Sequence, residues 1–301
     1  MARLISGDAL MLQTRSWIHA WLLLFPGLVF LIAFTHLPAL TTLWSSFFTT
    51  PRGRRPAKWA GLENYETLIA DPVFWKVLWN NAIYAAGTIP LSVVIALLMA
   101  LWVNRQMVGR GFVRMAYFTP TVLPMIAVAN IWMFFYTPGF GLIDQIGGAF
   151  GFAQTNILGS ANSALWGVMV VTIWKEAGFF MIFYLAALQT IPTTLVEAAR
   201  VEGAGSWTIF RRITLPLLMP TTLFVSINAV VNSFRMVDHI FILTGGGPDN
   251  ASSLLLFYIY EVAFRFWDTA YAATLTVVLL VFLIVLAIGQ FFLFDRKVHY
   301  R

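Results

Sequence analysis

The chain has 301 residues, of which 59% are hydrophobic and only 11% charged, too apolar for a water-exposed globular surface. Its formal net charge of +6 comes from basic residues gathered in short hydrophilic breaks, which fits membrane topology better than a nucleic-acid partner. Cysteine is absent, which excludes a disulfide framework, a thiolate metal site and a cysteine nucleophile.

A helix needs about 20 apolar residues to cross a bilayer core of about 30 Å. In chain order six stretches have that length, roughly 17–48, 77–102, 113–136, 163–188, 213–243 and 270–294. They are continuously apolar, without the alternation over about ten residues that a membrane β-barrel strand requires. The expected fold is therefore an all-α integral membrane protein, one domain over 1–301 with about six transmembrane helices. The first run continues from Trp17 past Phe34, longer than the roughly 7–15 apolar residues of a signal peptide, and is expected to stay as a span.

The breaks set the orientation. One side carries Arg3, Arg15, Arg105, Arg110, Arg114, Arg200, Arg211, Arg212, Arg296, Lys297 and Arg301; the other carries Arg52, Arg54, Arg55, Lys58, Lys76 and Arg265. The first, more basic side is expected to be cytoplasmic, with both termini on it. The cluster at 52–58 runs against that rule and faces a partner, lipid headgroups or only solvent. The outer segments Trp59–Tyr65, Thr137–Leu142 and Thr244–Asp249 are rich in Gly, Asn and aromatics and read as ordered loops with short interfacial helices.

Between the fourth and fifth spans, a loop over 190–212 carries a distinct pattern. Thr194 with Glu197 reads as a capping box starting a short helix, Gly203 and Gly205 end it, and Ser206 reads as the cap of a second. Ala198 and Ala199 give the first helix a small-residue face that another protein can approach closely, while Glu197 and Arg200 can fix orientation. Glu197-Ala198-Ala199, then Gly203, then Ile213 and Leu215-Pro216, resembles the EAA loop of ATP-binding-cassette (ABC) importer permeases. Glu202 stands where many members of that family have Asp. Leu188 to Pro192, Ser233 to Asp238 followed by Thr244 to Pro248, and Gly61 to Tyr65 are similar to the carbohydrate branch. Within it they resemble the subunit of maltose, glycerol-3-phosphate and trehalose systems that pairs with a second, different permease.

That resemblance implies the type I importer permease fold, a second permease, a dimer of ATPase subunits and an external solute-binding protein in the inner membrane of a bacterium. It implies that Glu197, Ala198, Ala199, Arg200 and Gly203 form the surface seated on the ATPase. The chain has no Gly-x-x-x-x-Gly-Lys-Ser/Thr pattern, so no cofactor is expected on it, and ATP with Mg belongs to the partner ATPase.

Ionisable residues inside a span normally face the protein interior or a pathway. Lys175 and Glu176 fall in the fourth span beside Trp174, Phe179 and Phe180; Asn228, Asn232 and Arg235 share a face of the fifth, with Ser233 and Asp238 close by. Aromatic faces with Asn, Ser and charged hydrogen-bonders suit a sugar or sugar derivative. The same residues have plainer uses: Arg235 and Asp238 can neutralise each other, and Lys175 and Glu176 can bond neighbouring subunits. An unpaired Arg235 would favour an anionic sugar. His19, His36, His239 and His299 are scattered without metal-ligand spacing. The rival reading is an ion-coupled secondary transporter using Glu176, Arg235 and Asp238 as a relay, which would require inverted repeats and no EAA loop.

Overall fold

The computed structural model describes residues 5–105, 107–151 and 156–295. Arg3, Arg296, Lys297, His299 and Arg301, used in the sequence reading, lie outside those residues. The described chain is helical apart from isolated bridges at Phe48–Trp59 and Arg52–Arg55. In order, α1 (Ile5–Leu31) runs through a π turn into α2 (Leu37–Ser45), followed by α3 (Glu63–Ala70) and the long α4 (Pro72–Asn104). Then come α5 (Arg110–Val122), α6 (Met125–Phe135), α7 (Leu142–Ala149) and α8 (Ala164–Thr190). The hydrophilic loop forms α9 (Thr193–Val201) and α10 (Ser206–Ile209), and a π turn leads to α11 (Leu215–Leu217) and α12 (Met219–Arg235). The chain closes with α13 (Asp238–Leu243), α14 (Leu255–Tyr260) and α15 (Thr269–Asp295).

Four helical stretches are long and apolar enough to cross a membrane: His19–Ser45, Pro72–Asn104, Ala164–Thr190 and Thr269–Gln290. The stretch expected as one span at 113–136 is α5 and α6, bent by 102° between them. Pro120 deprives the last turn of α5 of a donor, and Pro124 pushes Leu123 into an extended conformation. The stretch at 213–243 is also bent, by 64°, between Ser206–Leu217 and Met219–Arg235. Its helix stops at Arg235 because Met236 turns extended, and α13 is a separate piece. Counting each bent pair as one span gives six.

Lipid tails are as apolar as leucine, so helices in a membrane hold together through close packing of small residues and through internal hydrogen bonds. The α4–α8 pair shows how. Asn80, Tyr84, Thr88, Ser92, Ala96 and Ala100 are buried at every fourth position of α4. Ala164, Val168, Thr172, Glu176, Phe180, Tyr184 and Leu188 do the same on α8. Two ridges of this spacing can interdigitate along their length. On another face of α8, Gly178 lets α5 come so near that a Cβ there would lie 2.2 Å from the Tyr117 carbonyl oxygen.

The segment 244–254 folds back onto α4 and is not a free loop. Asn80 Nδ2 donates to the carbonyls of Asn250 (2.8 Å) and Ser253 (3.0 Å), and Asn81 Oδ1 accepts from the Leu255 amide (2.6 Å). Beneath it, Tyr84 joins Thr172 (2.7 Å) and the buried His239 (3.0 Å).

Candidate coupling surface and solute path

The helical hairpin after α8 forms without the side-chain caps expected for it. Its first helix starts at Thr193, one residue before Thr194, with Pro192 at the cap position and no side-chain cap bond; Thr194 already lies inside the first turn, so it cannot cap. Likewise Gly205, not Ser206, precedes the second helix. The C-terminus of α9 follows the sequence expectation. Gly203 adopts φ +80°, its amide donates to the Arg200 carbonyl (3.0 Å), and the Ala204 amide donates to the Ala199 carbonyl (2.9 Å). These are the two bonds of a Schellman motif, whose left-handed residue favours glycine. Glu197, Ala198, Arg200 and Gly203 are exposed and Ala199 half-buried. Around them Val201 is 90% exposed and Trp207 71%. The hairpin thus presents charged, small and bare apolar side chains together on its exposed side.

Inside the bundle, α8 turns two adjacent ionisable residues to different neighbours. Lys175 Nζ donates to the carbonyls of Pro120 (2.9 Å), Thr121 (3.4 Å) and Leu123 (2.6 Å), all at the α5–α6 break. Those carbonyls lose their helical donors where the helix ends, and a cation at a helix C-terminus suits the dipole there. Lys175 is thus occupied holding the break. Glu176 Oε2 accepts from Asn232 Nδ2 at 2.8 Å, joining α8 to α12. The two residues line a small cavity with Thr88, Ser92, Thr172 and Ser233, closed on its apolar sides by Ile89, Phe180 and Ala229. The space is about the size of one water, so no solute larger than that fits in this conformation.

Of the expected path residues, Glu176, Asn232, Ser233 and Phe180 therefore meet. The others do not. Trp174 lies on another face of α8, 42% exposed, edge-on to Trp132 at 5.7 Å, beside an apolar cavity of about 440 Å³. Phe179 is half-buried against Phe183. Asn228 turns its amide back to the Phe224 carbonyl (2.8 Å) on its own helix. Arg235 and Asp238 are exposed and form no ion pair, because the helix that would have set them one turn apart ends between them. Thr88, Ser92 and Thr172 escaped the sequence reading. Their signal was present as the fourfold spacing of small and polar residues along α4 and α8. Among the described residues no group of three or more His, Asp or Glu could hold a metal ion.

Residues 89–300 match the family model described as "Binding-protein-dependent transport system inner membrane component". The chain belongs to that family. It is a multi-pass membrane permease, and its sequence relatives are likewise permeases over nearly their whole length. It is 30% identical over 289 residues to a probable starch degradation products transport system permease of Thermoanaerobacterium thermosulfurigenes, covering 94% of this chain and 96% of that one. It is 32% identical over 275 residues to a trehalose/maltose transport system permease of Thermococcus litoralis, covering 90% and 93%. In fold it matches a chain of a bacterial ABC transporter for import of the acidic polysaccharide alginate, with TM-score 0.84, 22% identity and coverage of 94% and 96%. A second crystal structure of the alginate transporter, in complex with an alginate pentasaccharide-bound periplasmic protein, matches with TM-score 0.82, 22% identity and coverage of 92% and 93%.

Proposed function

We propose that this permease forms, with a second and different permease, the path of an ATP-driven importer for a sugar or sugar derivative. An external binding protein delivers the solute, and separate ATPase subunits supply ATP and Mg chemistry. The observation that carries the reading is the exposed hairpin at 193–217, with Glu197, Ala198, Ala199 and Arg200 on its first helix and Gly203 in its turn. A rigid hairpin fused through a bend to α12 can carry a push from the ATPase to Asn232, and so to the contact between α12 and Glu176. In this account both termini and the hairpin are cytoplasmic, and the Glu176–Asn232–Ser233 cluster is the closed state of the path. Sugar is the substrate class because the relatives at 30–32% identity are named for starch products and for trehalose and maltose.

The experiment is purification of the tagged permease in mild detergent, with mass spectrometry and an ATPase assay. The account expects a second permease and an ATPase in stable proportion. In Gly203→Asp the left-handed turn is strained by about 1–2 kcal/mol, and Glu197→Lys reverses a surface charge. Both variants should insert normally yet co-purify less ATPase and transport less. A chain recovered alone, without ATPase activity, would favour ion-coupled transport.

A further inference from the structure

The basic cluster at the outer end of the first span is part of a built feature. Residues 48–59 form a short hairpin closed by the Thr49 amide to the Lys58 carbonyl (2.8 Å), with Gly53 at φ +59° in its turn. It is fastened at both sides. Asn64 Nδ2 donates to the carbonyls of Ser46 and Phe48, each at 2.8 Å. Thr50 Oγ1 donates to Asp268 Oδ1 and accepts from the Ala270 amide (2.9 Å) at the start of α15.

Two cavities adjoin across Thr49. One, about 480 Å³ and mostly apolar, lies between the first and last spans, with Thr41, Trp44, Phe48, Ala270 and Ala273 in its walls. The other, an open space of about 510 Å³, is lined by Arg52, Arg55 and Lys58. Glu63 and Asp268 also line it, but the Asp268 carboxylate is engaged by Thr50 and by the Tyr271 amide (3.1 Å). Among the described residues the ion pairs are Lys76–Asp249 and Arg265–Glu261, so none of the three cations has an acidic partner. Trp44 and Trp59, 64% and 63% exposed and 6.1 Å apart, mark the level as the membrane interface, where tryptophan concentrates.

We infer that this junction is a binding site for an anionic phospholipid, its phosphate on Arg52, Arg55 and Lys58 and an acyl chain in the groove between the first and last spans. The apolar groove and a cationic cavity at headgroup height share Thr49 in their walls, and an apolar groove beside a cationic cavity is the chemistry of a lipid and not of a free anion. A bound lipid would fill the gap beside a first span that meets the rest of the chain chiefly where α2 packs on α15. The inference does not depend on what is transported, nor on which side of the membrane this end faces.

The test is native mass spectrometry of the purified complex, delipidated and then offered phosphatidylglycerol or phosphatidylcholine. Wild type should bind phosphatidylglycerol selectively. Each Lys or Arg near a lipid surface contributes roughly fivefold in affinity, so R52Q/R55Q/K58Q should weaken it on the order of a hundredfold. Thr41→Trp, which fills the groove with the cations intact, should weaken it as well. Co-purified partner subunits and an unchanged unfolding midpoint show that each variant has folded. Undiminished phosphatidylglycerol binding in either variant would overturn the site, and so would its displacement by inorganic phosphate. A triple variant that keeps its lipid but fails to bind the external solute-binding protein would reassign the cluster to that protein.

Discussion

The first span, His19–Ser45, and α8, Ala164–Thr190, are both 27 residues long and both apolar enough to cross a membrane, yet the most apolar stretch of the first is wholly unburied within the chain while most of α8 is buried. Apolar length alone does not separate them. The difference lies in placement: α8 repeats buried residues at every fourth position, sets Gly178 against α5 and Lys175 on the α5–α6 break, and joins Glu176 to α12. The first span has no such ridge and touches the body chiefly through α15. In lipid, apolar character places a helix in the membrane, while small and polar residues in register place it in a bundle.

The sharpest way to break that comparison is a single methyl group. Gly178→Ala puts a Cβ against the Tyr117 backbone oxygen, which cannot swing away, and should cost about 2–3 kcal/mol. The unfolding midpoint in detergent, followed by size-exclusion chromatography, should fall by roughly 5–10 °C. Gly27→Ala in the first span, where the new atom meets nothing within 4 Å, should leave it unchanged.

Next in size is the charge on α8. Lys175→Met strips three carbonyls at the α5–α6 break of their donor and should cost about 2 kcal/mol in the same assay. Lys76→Met, which loses an exposed ion pair at 3.4 Å and a hydrogen bond to the Asp249 carbonyl, should cost under about 1 kcal/mol. Equal effects would mean that Lys175 is not holding the break.

These two helices also mark how far sequence carries. Apolar runs and Gly203 were readable because each acts locally: a span needs only length, and a Schellman turn needs one residue at positive φ. The purpose of Lys175 was not readable, because its partners are carbonyls freed by a break 52 to 55 residues earlier in the chain. The break itself was signalled by Pro120 and Pro124, but a hydropathy reading averaged over a whole span passes across it. Arg235 and Asp238 were grouped by helical spacing that ceases to apply once Met236 ends the helix. Asn232 and Glu176 were identified as polar residues on interior faces, while Thr88 and Ser92 were missed because small hydroxyls do not stand out in an apolar run.

The smallest effect tests the junction of α4 with α14 and α15. Burial pushes the Asp71 carboxyl up, but hydrogen bonds from Tyr258 and Tyr271, each at 2.6 Å, together with the Val73 and Phe74 amides, outweigh it and hold it below the usual carboxylate value. A lowered folded value means the carboxylate's contribution is present above the unfolded value of about 3.9 and is lost as pH falls through the folded one. The stability gap between wild type and Asp71→Asn should therefore be constant near neutral pH and shrink below about pH 4. A gap that widens on acidification would contradict the assignment.

The central claim is that the hairpin at 193–217 receives the ATPase. Because the chain contains no cysteine, Ala198→Cys introduces a single thiol in the middle of that surface, and Gly27→Cys places one in the first span. Each would be labelled in the assembled complex with a thiol-reactive photocrosslinker and the products identified by mass spectrometry. The account predicts an ATPase subunit attached at position 198 and none at position 27; intact complex with no ATPase attached at 198 would contradict it.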